Sequence, residues 1–217
     1  MYDHAEARRR MVENQLKPNR IVDPRLLAAM GEVPRELFVP TALRGAAYVD
    51  EDVPLGEGRF LIEPLALAKL LQAARIRPDD VVLLIGCASG YAGAVAARLA
   101  GTVILLAADA AESAALDRRV AEAGADNLVV QEGDPRQGLP SQAPFDVILL
   151  AGAVARVPQH LLDQLAEGGR LVAVVADGRP GEVTVFEKVG GAVGRRVVDD
   201  ARVPELVALR PPPAFSL

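Results

Sequence analysis

The 217-residue sequence contains one cysteine, two histidines and no tryptophan. A single cysteine, Cys87, cannot form an intramolecular disulfide, which fits a reducing compartment. Together with two histidines it also leaves too few sulfur and nitrogen ligands for a structural zinc site. We therefore expect no metal.

The sequence also has no excess of positive charge and no long apolar run. Its 24 lysines and arginines and 29 aspartates and glutamates give a formal net charge of −5, whereas nucleic-acid binders usually carry a basic excess. The longest apolar runs, such as 81–85 and 103–108, are strand-sized, while a bilayer span needs about 20 residues. Residues 1–11 lack the apolar stretch of a secretory signal. We expect no nucleic-acid partner, no membrane association and a cytoplasmic location.

The first 77 residues combine helical segments with proline-containing breaks. Asp23 before Pro24 is typical of an N-cap followed by proline at the first helical position. The stretch 47–59 is rich in acidic residues and glycine, so we predict a surface loop there. The composition predicts three helices in this part, over residues 3–17, 24–30 and 64–74. We expect 1–77 to form a helical appendage packed on the rest of a single domain, 1–217.

From residue 78 onward, continuous apolar runs alternate with helical segments. Such runs are typical of strands buried on both faces, and the alternation predicts βαβ units and a parallel sheet. The predicted strands are 81–85, 102–107, 128–131, 145–150 and 170–176, and the predicted helices are 92–99, 110–123 and 158–166. Residues 182–189 and 194–203 alternate polar and apolar side chains, which predicts an antiparallel hairpin joined near Gly190. We expect an α/β core over 78–209 and an extended tail over 210–217.

A glycine-containing turn, Gly86-Cys87-Ala88-Ser89-Gly90-Tyr91, follows the first strand of this core. Gly86 permits a sharp turn and Gly90 permits close backbone approach, while the next helix presents unpaired N–H groups. Open α/β sheets bind ligands at such turns. A nicotinamide-dependent dehydrogenase is a weak alternative, because the middle position is Ala88 and no acidic residue ends the second strand.

Eight segments together resemble one enzyme family across nearly the full length. They are MVENQL (11–16), VPRELFVP (33–40), AYVDEDVPLGEGR (47–59), the helix start at Pro64, GCASGY (86–91), EGD (132–134), PFDVILL (144–150) and QLAEGGRLVAVV (164–175). The family is that of the protein-L-isoaspartate O-methyltransferases. The resemblance implies a class I, Rossmann-like methyltransferase fold with a mostly parallel seven-stranded sheet. It also implies S-adenosylmethionine as cofactor and methylation of the α-carboxylate of an L-isoaspartyl residue in a damaged protein.

The resemblance also implies which residues form the site. Cofactor contacts are expected from the six residues of the glycine turn, from Asp109 after the second strand, and from Gly133 and Asp134 after the third. Ile62 aligns with the family's serine in the substrate loop, with Glu63 and Pro64 beside it, so no catalytic residue is certain. The reaction makes modest demands on side chains, because a carboxylate nucleophile is already ionised at pH 7.

Four departures fall on positions that the family uses. Leu84 and Ala107 stand where the family has acidic residues, Ala88 replaces a glycine and Ile62 replaces the serine. Asp109 is the nearest carboxylate that could hold the ribose hydroxyls. The losses leave a second hypothesis open, a catalytically degraded pseudo-methyltransferase that serves as a protein-binding or scaffold module and whose cofactor cleft is filled by side chains.

Three of the candidate residues also have purely structural interpretations. Asp134 precedes a proline and is equally compatible with a turn. Tyr91 either packs over the cofactor or fills the interface between helix and sheet. For Glu63 we expect a cap on the helix that begins at Pro64, since a carboxylate at a helix N-terminus is favourable.

Overall fold

The computed structural model describes residues 3–210. Its helices are α1 (His4–Arg10), α2 (Pro24–Glu32), α3 (Pro64–Ala74), α4 (Tyr91–Ala97), α5 (Ala110–Glu122) and α6 (Gln159–Asp163). Its strands are β1 (Val53–Gly56), β2 (Arg59–Leu61), β3 (Val81–Ile85), β4 (Thr102–Ala107), β5 (Leu128–Glu132), β6 (Phe145–Val154), β7 (Leu165–Val175), β8 (Glu182–Val189) and β9 (Ala192–Asp200).

Seven of the strands form one sheet in the order β5-β4-β3-β6-β7-β8-β9. The first five strands in this order are mutually parallel, and the last two are antiparallel to their neighbours. The predicted mostly parallel sheet with a C-terminal antiparallel hairpin is confirmed. The chain reverses its direction of travel across the sheet between β3 and β6, and such a switch point opens a crevice at the carboxyl ends of the strands.

Helices cover both faces of the parallel strands. Successive strand residues point to opposite faces, so Leu84 and Leu105 pack with α2, α3 and α4, whereas Leu83 and Ile104 pack with α6. Burial on both sides explains why these strands are continuously apolar in sequence.

The N-terminal helices form largely where the sequence predicts them. The carboxylate of Asp23 accepts hydrogen bonds from the backbone N–H groups of Arg25 (2.8 Å) and Leu26 (3.4 Å), which confirms the predicted N-cap of α2. The helix predicted over 3–17 begins as α1 but widens into a π-helix over Met11–Leu16. Its buried side chains include Met11 and Leu16, which point into the core.

Two predictions are corrected by the structure. Residues 47–59 are not only loop, because β1 and β2 form a small antiparallel hairpin whose tip, Gly56-Glu57-Gly58, has positive φ at all three residues. The predicted helix 158–166 ends at Asp163, since Leu165 pairs with Phe145 in the sheet and is 1% exposed. Burying Leu165 in a strand outweighs its helix propensity.

The end of the described chain returns to the middle of the sheet. Ala153 at the end of β6 donates to the carbonyl of Pro204 and accepts from Leu206, both at 2.8 Å. Residues 204–208 therefore lie across the carboxyl ends of the strands. Of the predicted tail, only Arg210 is described, and 211–217 lie outside the described residues.

Two features are absent from the described part of the chain, a membrane-spanning helix and a cluster of metal-binding side chains. None of the helices between residues 3 and 210 has the length and apolarity needed to cross a bilayer. No three His, Cys, Asp or Glu side chains in this range are grouped so that they could hold a metal ion.

Candidate functional site

A cleft of about 510 Å³ lies at the carboxyl ends of β3, β4 and β6. This volume is within the range of small-molecule and cofactor sites, and the position is the one expected for ligands of open α/β sheets. Among residues 3–210, the lining residues come from six segments, lying within 57–62, 86–88 and 106–115, at Pro135 and Ala151, and along 204–208.

The glycine turn after β3 forms the floor of the cleft. Gly86 has φ +83° and Gly90 has φ +85°, a left-handed conformation that a side chain would strain. The carbonyls of Ala88 and Ser89 accept hydrogen bonds from Arg119 Nη1 at 3.2 and 3.4 Å. A side chain of α5 thus fixes the turn from behind.

Only part of the turn faces the cleft. Gly86 and Ala88 line it, whereas Cys87 and Ser89 border a separate small cavity of about 10 Å³. The Ser89 hydroxyl accepts from the Tyr91 backbone N–H at 3.1 Å. Burial raises the pKa of the Cys87 thiol, so this cysteine is poorly suited to act as a nucleophile.

Tyr91 points away from the cleft. Its ring is fully buried, with the Phe38 ring 5.5 Å away edge-on and the Arg35 guanidinium 4.9 Å from its centroid. The structure therefore places Tyr91 in the interface between α4 and the N-terminal segment. Of its two interpretations, the geometry favours packing.

Two carboxylates stand at the end of β4. Asp109 Oδ1 accepts from the Glu112 backbone N–H at 2.8 Å, and Glu112 Oε2 accepts from the Ala108 backbone N–H at 2.7 Å. This reciprocal pair starts α5. Both residues line the cleft. Asp109 is predicted from the sequence and Glu112 is not, although an acidic residue three positions after an Asp N-cap is a recognisable signal.

Gly133 and Asp134 lie at the end of β5. A Cβ on Gly133 would come 2.9 Å from Leu106 Cδ1, so only glycine fits there without movement. Asp134 is exposed and accepts from both the side chain and the backbone N–H of Arg136, which lowers its pKa. These contacts are those of a turn aspartate, and Pro135 rather than Asp134 reaches the cleft.

The segment 204–208 forms the roof of the cleft. A Cβ on Gly86 would meet Leu206 Cδ1 at 2.3 Å, and one on Gly152 would meet Leu206 Cβ at 3.0 Å. Leu206 thus rests directly on the two glycines. The sequence analysis gave no role to this segment, because nothing in its local pattern indicates a return to the glycine turn.

The departures from the family pattern lie in or beside the cleft. Leu84 and Ala107 are both completely buried, and an acidic side chain at either place would be desolvated. Ile62 lines the mouth of the cleft, and its backbone carbonyl accepts from Arg35 Nη2.

Glu63, next to Ile62, stands at the predicted N-cap position of α3. Its side chain makes no capping hydrogen bond there, so the carboxylate does not cap the helix by hydrogen bonding. Its backbone N–H instead donates to Asp52 Oδ1 at 2.9 Å. Burial raises the pKa of Glu63, and the nearby carboxylates of Asp50 and Asp52 raise it further.

Glu63→Gln is expected to stabilise the protein at pH 7. The folded state holds the Glu63 proton more tightly than the unfolded chain, so stability falls as pH rises from about 4 through the folded-state pKa. Because Glu63 is partly exposed, solvent screens its charge, and removing the charge should raise Tm at pH 7 by no more than about 2 °C. Thermal unfolding at pH 4 and pH 7 measures the effect, which should shrink at pH 4. The exposed Glu51→Gln is the control, and a lower Tm for Glu63→Gln would contradict the prediction.

Comparison with known proteins gives a consistent result. The family model "Protein-L-isoaspartate(D-aspartate) O-methyltransferase" matches residues 6–206. The protein-L-isoaspartate O-methyltransferase of Methanoregula boonei is 38% identical over 206 residues, covering 95% of each chain. That of Synechococcus sp. strain JA-2-3B'a(2-13) is 46% identical over 173 residues, covering 80% of this chain and 71% of its own.

Solved structures share the architecture. A Plasmodium falciparum protein, described as a protein-L-isoaspartate O-methyltransferase in complex with S-adenosyl-L-homocysteine, has a TM-score of 0.80 at 19% identity and covers 96% of this chain and 100% of its own. Another structure of a protein-L-isoaspartate O-methyltransferase has a TM-score of 0.75 at 22% identity and covers 91% of this chain and 65% of its own. The predicted Rossmann-like methyltransferase fold is confirmed.

Proposed function

The chain belongs to the protein-L-isoaspartate O-methyltransferase family, and from this we infer that it is an S-adenosylmethionine-dependent carboxyl methyltransferase. Its substrate is the α-carboxylate of an L-isoaspartyl residue in a protein or peptide. The observation that carries the proposal is the family match over residues 6–206, which includes all the cleft-lining residues except Val207 and Ala208.

The lining of the cleft fits this cofactor in shape and charge. Leu206 packs on Gly86, and Leu106 and Pro135 offer apolar surface for an adenine ring. Four carboxylates but a single cationic side chain are among the lining residues, which are Glu57, Asp109, Glu112, Glu205 and Arg59. Arg59 is paired with Glu57 at 2.8 Å and Glu205 is paired with Arg210. Among residues 3–210, Asp109 and Glu112 are therefore the lining carboxylates that have no salt bridge. An excess of carboxylates favours a ligand that carries a positive charge.

The reaction needs positioning more than it needs acid–base chemistry. When bound, the cofactor supplies an electrophilic methyl group on a sulfonium. The substrate carboxylate is ionised at pH 7 without help from a base. The residues of this chain therefore have to hold the carboxylate and the methyl group in line and to keep water out, which can contribute about 7–11 kcal/mol. The family's serine position, Ile62, offers an apolar side chain to the cleft, while its carbonyl is engaged by Arg35.

The alternative of a pseudo-methyltransferase predicts a cleft filled by side chains. An open volume of about 510 Å³ beside Gly86 argues against it. Leu84 and Ala107 take no part in closing the cleft, since neither of them lines it.

The test combines a binding and a transfer measurement. Calorimetric titration with S-adenosylmethionine should give a Kd between about 1 μM and 1 mM, since the missing acidic residues weaken hydrogen bonding to the cofactor. Methyl transfer should occur to an isoaspartyl peptide and not to the same peptide with normal aspartate. Gly86→Leu tests the need for glycine in the turn, because its side chain would collide with Leu206 and strain a backbone at φ +83°, and thermal unfolding checks that this variant folds. No binding at millimolar cofactor would overturn the proposal, whereas binding without transfer would favour the pseudo-methyltransferase.

A further inference from the structure

The end of β4 offers no polar side chain to a nucleoside. Ala107 is completely buried and ends the strand. In nucleoside-binding open α/β sheets, an acidic residue in this region commonly accepts hydrogen bonds from the ribose hydroxyls. A ribose bound in this cleft would therefore need an acceptor from another element.

Glu112 brings a carboxylate back to this position from α5. Its Oε2 accepts from the Ala108 backbone N–H at 2.7 Å, so the carboxylate is tied to the residue that directly follows Ala107. Glu112 is partly buried, lines the cleft and forms no salt bridge with any residue in 3–210. Its second oxygen is left available for a ligand.

Asp109, the other carboxylate that follows β4, caps α5. Its Oδ1 accepts from the Glu112 backbone N–H at 2.8 Å and caps α5, and the side chain is exposed. Capping fixes the first turn of α5 and with it the position of Glu112. Water competes less for a hydrogen bond to a partly buried carboxylate than for one to an exposed carboxylate.

We propose that Glu112 receives the ribose hydroxyls of the cofactor and that Asp109 acts as a positioning residue for it. This inference rests on the proposed function, because it assumes an adenosyl ligand. The chain would thus have moved its ribose acceptor from the end of β4 to the first turn of α5. Neither Leu84 nor Ala107 would then need an acidic replacement for binding to persist.

The experiment compares two ligands by calorimetry, S-adenosylhomocysteine and its 2′,3′-dideoxyribosyl analogue. The wild-type protein should bind S-adenosylhomocysteine about 10- to 100-fold more tightly, which is the effect expected of a hydrogen bond to a charged acceptor. Glu112→Ala should bind the two ligands equally, because the acceptor is gone. Glu112→Gln, which keeps a neutral acceptor, should retain part of the preference.

Controls separate recognition from folding. Glu122→Ala, on the exposed C-terminal end of the same helix, should leave both Kd values unchanged. Because Glu112→Ala also removes part of the start of α5, its folding is checked by thermal unfolding, and the ratio of the two Kd values is insensitive to the folded fraction.

Each other outcome overturns the inference in a distinguishable way. Equal binding of both ligands by the wild type, or an unchanged preference in Glu112→Ala, would refute Glu112 as acceptor while leaving the proposed function intact. Loss of the preference only in Asp109→Asn would assign the acceptor to Asp109. If the wild type binds no S-adenosylhomocysteine at millimolar concentration, the proposed function fails together with this inference.

Discussion

Arg170→Met is expected to lower the free energy of unfolding by about 3–5 kcal/mol, the usual cost of removing one partner from a buried ion pair. Arg170 Nη2 lies 2.6 Å from Asp80 Oδ2, and the two side chains are only 5% and 6% exposed. Without the guanidinium, the carboxylate of Asp80 would remain buried without a cation. The remaining hydrogen bond, from the Arg77 backbone N–H at 2.9 Å, cannot replace that charge.

The same guanidinium also closes the C-terminal end of α3. It donates to the carbonyl of Ala74 through Nε and to the carbonyl of Arg75 through Nη2. The last carbonyls of a helix have no partner within the helix, and a cation is favourable there. Since α3 begins directly after Ile62 and Glu63 at the mouth of the cleft, Arg170 holds the far end of a helix on which the site depends.

Urea denaturation measures the effect of Arg170→Met, with an unchanged m-value as the sign that only stability has changed. The matched control is Arg195→Met, whose exposed salt bridge to Glu182 spans 3.4 Å and should contribute less than about 1 kcal/mol. The double variant Arg170→Met/Asp80→Leu should recover part of the loss, because it leaves no unpaired buried charge. Equal losses in Arg170→Met and Arg195→Met would contradict the interpretation.

The sheet could be predicted from the sequence because strands that are buried on both faces are recognisable as continuous apolar runs. The apolar runs at β3 and β4, and the Asp23 cap, are determined by neighbours within a few residues. The hairpin β1–β2 was missed because strands of four and three residues are too short for a recognisable alternation. Leu165 was assigned to a helix because its strand pairing with Phe145 is a tertiary contact.

The site was less predictable because its walls come from remote parts of the chain. Leu206 covers Gly86 only because residues 204–206 pair with Ala153, and no local pattern encodes that pairing. Resemblance directs attention to positions such as Ala107, where the family's residue is absent. The resemblance does not point to Glu112, which brings a carboxylate near the end of β4 from the first turn of α5.

The buried guanidinium of Arg35 connects the main chain of Ile62 to α4, the helix that follows the glycine turn. Arg35 is fully buried, and burial lowers its pKa. Nε donates to the carbonyl of Ala47 at 2.5 Å, Nη2 donates to the carbonyl of Ile62, and the group lies over the Tyr91 ring. One side chain thus connects the cleft mouth at Ile62 to the helix that follows the glycine turn.

Arg35→Met should lower the free energy of unfolding by about 2–6 kcal/mol, because two buried carbonyls lose their donor at about 1–3 kcal/mol each. Arg35→Lys should recover little of this, since one ammonium on a flexible stem cannot reproduce a planar fork that donates to two carbonyls. The exposed Arg10→Met, which breaks a helical pair with Glu6, should cost no more than about 0.5 kcal/mol.

Arg35→Met should weaken substrate binding more than cofactor binding. Releasing the Ile62 main chain disturbs the mouth of the cleft, whereas the floor at Gly86 and the carboxylates of Asp109 and Glu112 keep their own hydrogen bonds. At a temperature where the variant is folded, KM for an isoaspartyl peptide should rise at least about 10-fold, the equivalent of one lost hydrogen bond of about 1.4 kcal/mol. The Kd for S-adenosylhomocysteine, measured by calorimetry, should change less than about threefold. A general loss of packing would weaken the binding of the peptide and of S-adenosylhomocysteine equally. That result would show that Arg35 has no specific role in positioning the substrate.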